Sequence, residues 1–285
     1  MTPLPPAGKV WHRYVAIGDS FTEGMSDAHP SRPNSFVGWA DRLASHLAEI
    51  AGGEFAYANL AVRGRLLSDI VGPQLDAALE MKPDLVSMVG GGNDLLRPRV
   101  SLDAIAQRIE DAVVRIREAG ADVLLATPVD PADAPLVKAT RGRAAVHAAN
   151  LFSIAGRHGA FVVDQWGMRA LRDWRMWAED RIHMTSEGHR RVALAALAAL
   201  GHQSAEDGWR TPLPPGAPVS RREAAAANAQ WAREHLGPKI PTQAPQRAMS
   251  ATQEWRSPFV WRDCGCRSFR SVRKAIAESP GRQRE

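Results

Sequence analysis

Long hydrophobic runs are missing from this chain of 285 residues. No stretch of 18 or more apolar residues occurs, and the first ten residues carry three prolines and no apolar core, so neither a membrane span nor a secretory leader is expected. Thiols are nearly as scarce. The only cysteines, Cys264 and Cys266, stand one residue apart near the C-terminus and give the main body no disulfide framework, which suits a cytoplasmic protein. With no further ligand residues around them they also make a poor metal or redox site. Nucleotide signatures are absent too: there is neither a Gly-x-x-x-x-Gly-Lys loop nor a Gly-x-Gly-x-x-Gly fingerprint.

Acidic side chains run short only at one end. Residues 239–285 hold ten lysines and arginines against four acids, leaving 26 basic against 27 acidic side chains in the first 238. The formal net charge of +5 is therefore a property of the tail, and the nearly neutral body shows no aromatic-plus-basic array of the kind that grips nucleic acid. Beyond Gly237-Pro238 no hydrophobic period survives, and Gln, Ser, Pro and Arg dominate, so disorder is expected there.

What is present is an alternation. Apolar strands are expected over residues 14–17, 55–61, 85–89, 122–127 and 161–163. Helical spacing fills the gaps: 36–50, 66–81 with a kink at Pro73, 101–119 capped by Ser101, 139–158 ended by Gly159, and 187–200 capped by Thr185 or Ser186. Such an order argues for a parallel sheet covered on both faces. Prolines gather at 211–218 and an Ala-rich helical piece follows from 220 to 236. The expected organisation is an N-terminal arm (1–11), an α/β domain (12–200), a Pro-rich linker with a helical extension (201–238) and a basic tail (239–285).

Chemistry gathers at the strand ends. Tyr14 to Ile17 runs into Gly18-Asp19-Ser20, the second strand into Asn59-Leu60-Ala61-Val62-Arg63-Gly64, and the third into Gly91-Gly92-Asn93-Asp94. A parallel sheet brings such ends to one edge. The last helix of the α/β domain is preceded by Asp180-Arg181-Ile182-His183. Ser20 needs a base to become a nucleophile, and His183 can take a proton near neutral pH and return it to a leaving alcohol. Asp180, three residues earlier, would in a helical turn share a face with His183 and bond its ring. With the reference imidazole pKa of about 6.5, activity should rise between about pH 6 and 7.

In this order and spacing the four stretches resemble the SGNH (GDSL) hydrolase family of esterases and lipases, over about residues 12–200. The resemblance implies a three-layer α/β/α, flavodoxin-like domain with a five-stranded parallel sheet, hydrolysing carboxylic esters through an acyl-serine with no metal or nucleotide cofactor. It assigns Ser20, Asp180 and His183 to the triad, and the backbone N–H groups of Ser20 and Gly64 with the Asn93 amide to the oxyanion hole. The partner it implies is a small-molecule ester, with no nucleic acid for the main domain; a partner of the basic tail stays open. So do the acyl and alcohol groups: a sugar acetate, a short fatty ester, a thioester and a lysophospholipid all fit, and a non-catalytic binding module on the same fold is the alternative of another class. Asp19 and Asp94 are read as loop-holding residues, and His189 as a first-turn helix residue. A metal site from Asp180, His183 and His189 matches no dedicated ligand spacing. An α/β-hydrolase elbow is excluded because Thr22 stands where its second glycine belongs. Trp166, Trp174 and Trp177 serve either the core or a pocket wall. Arg63 and Arg65 are solvated arginines or the contacts of an anionic group.

Overall fold

The computed structural model describes residues 8–236 except 34, 98, 135–136, 205–207 and 217–219. The basic tail and both cysteines lie outside the described residues.

Five parallel strands form the sheet: β1 (Arg13–Ile17), β2 (Ala56–Asn59), β3 (Leu85–Met88), β4 (Asp122–Ala126) and β5 (Phe161–Val163), in the order β2-β1-β3-β4-β5. β1 lies between β2 and β3, with Val15 opposite Ala58 on one side and Val86 on the other. A strand covered on both faces can carry no polar alternation, which is why Tyr14 to Ile17 is apolar without a break. The order makes a switch point at β1: the chain leaves it for β2 on one side, then crosses to β3 on the other.

Helices cover both faces. On one, α2 (Trp39–Ala51) packs against α8 (Ser186–Ala199). Tyr14 lies among the buried residues, stacked on Tyr57 at 5.1 Å, its hydroxyl bonded to Ser87 Oγ at 2.7 Å. On the other face, Val15, Ile17, Val86, Met88, Val123 and Leu125 meet α6 (Leu102–Glu118) and α7 (Arg141–His158) in one continuous core. Alternation along each strand divides its residues between the two layers. The result is the three-layer α/β/α arrangement of flavodoxin-like order.

The kink expected at Pro73 is larger than a bend. α3 (Leu67–Asp69) passes into a π-helical segment, Ile70–Gln74, with Gly72 at φ −103°, ψ −105°, before α4 (Leu75–Glu80) resumes. Proline has no N–H to donate and its ring crowds the turn before it, so the widened turn forms there. Two one-turn helices, α1 (Ser20–Glu23) and α5 (Gly92–Leu95), follow β1 and β3.

Contacts divide the chain into a larger unit reaching Pro212 and a second beginning at Leu213. The described part of the second is chiefly α9 (Arg221–Leu236). Among the described residues no helix is long and apolar enough to cross a membrane.

Candidate active site

Ser20 opens α1 directly after the Gly18 turn. A Cβ on Gly18 would come within 2.5 Å of Thr22 Oγ1 and 2.9 Å of Val89 O, so only glycine lets the chain fold back here. Gln74, delivered by the π-helical segment, clamps the same residue: its Oε1 accepts from Gly18 N–H at 2.8 Å and its Nε2 donates to Gly18 O at 3.0 Å. Asp19 is the N-cap of α1, with Oδ1 accepting from Phe21 N–H at 3.1 Å. The Ser20 N–H, at the first helical position, has no partner among the described residues.

Asp19 is buried, and burial pushes its carboxyl up to about 6, against the pull of the Phe21 N–H and of the nearby His183. Asn93 reaches the same carboxyl. Its Nδ2 lies 3.4 Å from Asp19 Oδ2 and donates at 2.9 Å to Arg65 O. One amide hydrogen is thus well bound, while the other is held only weakly. Asp94, beside it, accepts from Leu67 N–H at 2.9 Å and holds the start of α3. Both aspartates therefore keep the loop-holding contacts expected of them.

Gly64 sits at φ +74° with nothing within 4 Å of where a Cβ would stand, and among the described residues its N–H donates no hydrogen bond. The segment before it is tied to the Ser20 turn at three points. Val62 N–H donates to Gly18 O at 3.3 Å, the Asn59 amide to Thr22 O at 2.8 Å, and Arg63 N–H to Glu23 Oε2 at 2.8 Å.

Asp180 and His183 do not share a helical turn, as their spacing suggested. They occupy a loop closed by a Trp177–Met184 bridge and by Ala178 N–H donating to His183 O at 2.8 Å. Arg181 takes the left-handed φ of +57°, which interrupts any helix. Asp180 Oδ1 accepts from the N–H groups of Ile182 and His183, at 2.9 and 3.0 Å, in place of backbone partners. The two side chains meet nonetheless. His183 Nδ1 lies 2.6 Å from Asp180 Oδ2. Burial pushes the Asp180 carboxyl up, but the bonds from His183 and Ile182 outweigh it and hold the group below the usual carboxylate range. No hydrogen bond among the described residues joins Ser20 Oγ to the His183 ring.

Sequence reasoning missed the supports. His189 is fully buried in the first turn of α8. Its Nδ1 accepts from Trp39 N–H and its Nε2 donates to Met25 O, both at 3.3 Å, and its ring stacks on Phe21 at 5.8 Å. His147, from the middle of α7, presses its ring against the backbone at Gly91, where φ is +93°. Burial lowers its pKa, partly opposed by a bond to Gly90 and by Asp94. Only a polar residue inside an apolar helix pattern hints at either one. Trp166 packs against the core, Trp177 bonds Leu171 O at 2.7 Å, and half-exposed Trp174 lies under the Arg181 guanidinium at 5.0 Å. Among the described residues no group of three His, Cys, Asp or Glu side chains is placed to hold a metal ion.

The fold and this strand-end cluster define a class: a three-layer α/β/α protein of flavodoxin-like order with its polar groups gathered at the switch point. Residues 16–191 match the GDSL-like lipase/acylhydrolase family, and the chain belongs to it. It is an ester-hydrolysing enzyme. Among solved structures, LAE5, an alpha/beta hydrolase enzyme from the metagenome of Lake Arreo, Spain, is 26% identical with a TM-score of 0.57, covering 69% of this chain and 98% of its own. Axe2, an acetylxylan esterase from Geobacillus stearothermophilus, has the same fold at 20% identity and TM-score 0.56, covering 72% and 100%. So does the lipase Lip_vut3 from goat rumen metagenome, at 20% and 0.56, covering 66% and 97%. No curated protein matches the sequence.

Proposed function

We propose that the enzyme cleaves carboxylic esters through an acyl-Ser20 intermediate, with His183 as base and then acid and Asp180 as its orienting carboxylate. The observation that carries this reading is the convergence on Asp19. That residue caps the helix Ser20 opens, lies near His183 and meets the amide of Asn93. These contacts support reading Ser20, His183 and Asn93 as nucleophile, base and amide donor of one site.

The steps follow from the contacts. Ionised Asp180 accepts the Nδ1–H of His183, which leaves Nε2 as the lone-pair nitrogen. Nε2 takes the Ser20 proton as Oγ attacks the carbonyl carbon, in a contact that closes when substrate binds. Negative charge then gathers on the carbonyl oxygen. The Ser20 N–H, the Gly64 N–H and the weakly held Asn93 hydrogen are the donors available to it. His183 returns the proton to the leaving alcohol, and water repeats the sequence on the acyl group.

Ser20→Ala should abolish hydrolysis of a short-chain aryl ester and labelling by a fluorophosphonate probe. Turnover at the parent rate in that variant would remove Ser20 from the mechanism. For the substrate, the exposed Leu96 and Ile182 favour an ester with an apolar acyl part over a sugar acetate, because one follows Asn93 by three residues and the other precedes His183.

A further inference from the structure

We infer that Glu23 and Arg63 are positioning residues that hold the Gly64 N–H at a set distance from Ser20, so that this oxyanion donor is aimed before substrate arrives. The inference rests on the roles proposed above for Ser20 and Gly64. Glu23 is the last residue of α1, three after Ser20 in the same single turn, and its side chain is 7% exposed. Arg63 is joined to Gly64 by the peptide group that carries the N–H in question.

The carboxylate grips Arg63 at both ends. Oε2 accepts from the Arg63 backbone N–H at 2.8 Å and from Nε at 3.0 Å, while Oε1 accepts from Nη2 at 2.6 Å. Backbone and guanidinium are thus fixed by one group. The guanidinium also lies over the Phe36 ring, 5.1 Å from its centroid. With Arg63 held at N and at its side chain, the orientation of the Arg63–Gly64 peptide is left to one torsion, and the glycine accepts its left-handed φ.

The pair also favours one of the two readings of Arg63. An arginine serving an anionic substrate would direct its fork outward; here the fork is spent on Glu23. A buried carboxylate is costly unless paired and hydrogen-bonded, and replacing such a pair by apolar residues often stabilises a protein. Fixed geometry at the donor is what this pair supplies in return.

The test compares Arg63→Met, Arg63→Lys and Glu23→Gln with the parent enzyme on p-nitrophenyl butyrate. Arg63→Met should lower kcat about 10- to 100-fold with KM within about twofold, the pattern of a misplaced donor. Affinity for an aryl boronic acid, whose anionic adduct with Ser20 uses the same donors, should fall by a matching factor. Lysine cannot reproduce the fork and should restore little. Glu23→Gln keeps an acceptor for the backbone N–H and should fall between, and it serves if Arg63→Met fails to fold. Unchanged kcat with a lower melting temperature would reduce the pair to scaffold and overturn the inference. A KM rise confined to an ester with a carboxylate in its acyl group would overturn it in favour of an anion subsite. Ser20→Ala, run alongside, separates the two failures: turnover surviving there overturns the nucleophile, whereas either result above overturns the clamp alone.

Discussion

Asp19 concentrates the electrostatics of the site in one carboxyl. Its pKa is raised from 3.8 to about 6, so the folded chain keeps a proton that the unfolded chain releases. Stability therefore falls as pH rises through that window and stays reduced above it. Asp19→Asn removes the ionisable group while keeping an N-cap oxygen, and should raise stability at pH 8 by up to about 3 kcal/mol, with the gain vanishing near pH 4. Urea unfolding at the two pH values checks it; a gain equal at both would exclude the carboxyl as its source. Ile182 offers a second residue-level expectation. A charge beside His183 should repel an apolar chain, so Ile182→Asp should lower kcat/KM for a hexanoate ester roughly tenfold relative to the acetate, about what two lost methylene contacts are worth. Equal losses across a series of acyl lengths would show that Ile182 stands clear of the chain.

Among the elements, α8 carries more than its helical pattern discloses. Through His189 it joins the start of α2, the loop after α1 and the Phe21 ring next to Ser20. Burial lowers the His189 pKa from 6.5 to about 4, the bond to Met25 O opposing it. The unfolded chain takes up a proton that the folded one refuses, so stability is lost as pH falls from 6.5 through about 4. His189→Phe keeps the ring but not the bonds, and its stability should vary less over that range than the parent's. A parallel pH dependence in both proteins would assign the acid sensitivity elsewhere. Helices and strands themselves were legible because their signals are local: Ser101 caps α6, Gly159 ends α7, and apolar spacing places both. The π-helical segment was visible only as a proline in the wrong place. That it aims Gln74 at Gly18, 56 residues earlier, is a tertiary fact without local trace. The Asp180–His183 contact was legible as a pairing but not as a conformation, since a left-handed arginine has no propensity signal.

At the scale of the whole molecule, the order β2-β1-β3-β4-β5 gathers the chemistry. It sets the ends of β1, β2 and β3 side by side, and Ser20, Gly64 and Asn93 each follow one of them. Strand ends rich in Gly, Asp and Asn are readable in any sequence. That three of them adjoin follows from parallel pairing and needs no knowledge of side-chain contacts. The supporting residues Glu23, Gln74, His147 and His189 were not readable in this way, because each acts on a segment remote from its own.

Gly24 and Gly38 touch backbone to backbone: a Cβ on Gly24 would stand 2.5 Å from Gly38 N, and one on Gly38 2.5 Å from the Gly24 Cα. The stretch that leaves and returns through that crossing is drawn together by Val37 N–H on Asp27 O and anchored near its two ends, by His189 on Met25 O and by the Arg42–Asp27 pair. The stretch is in effect a cartridge with a welded neck. Its tip should therefore accept longer or shorter sequence without dislodging the hydroxyl at the root, and length variants there are the place to look for altered selectivity.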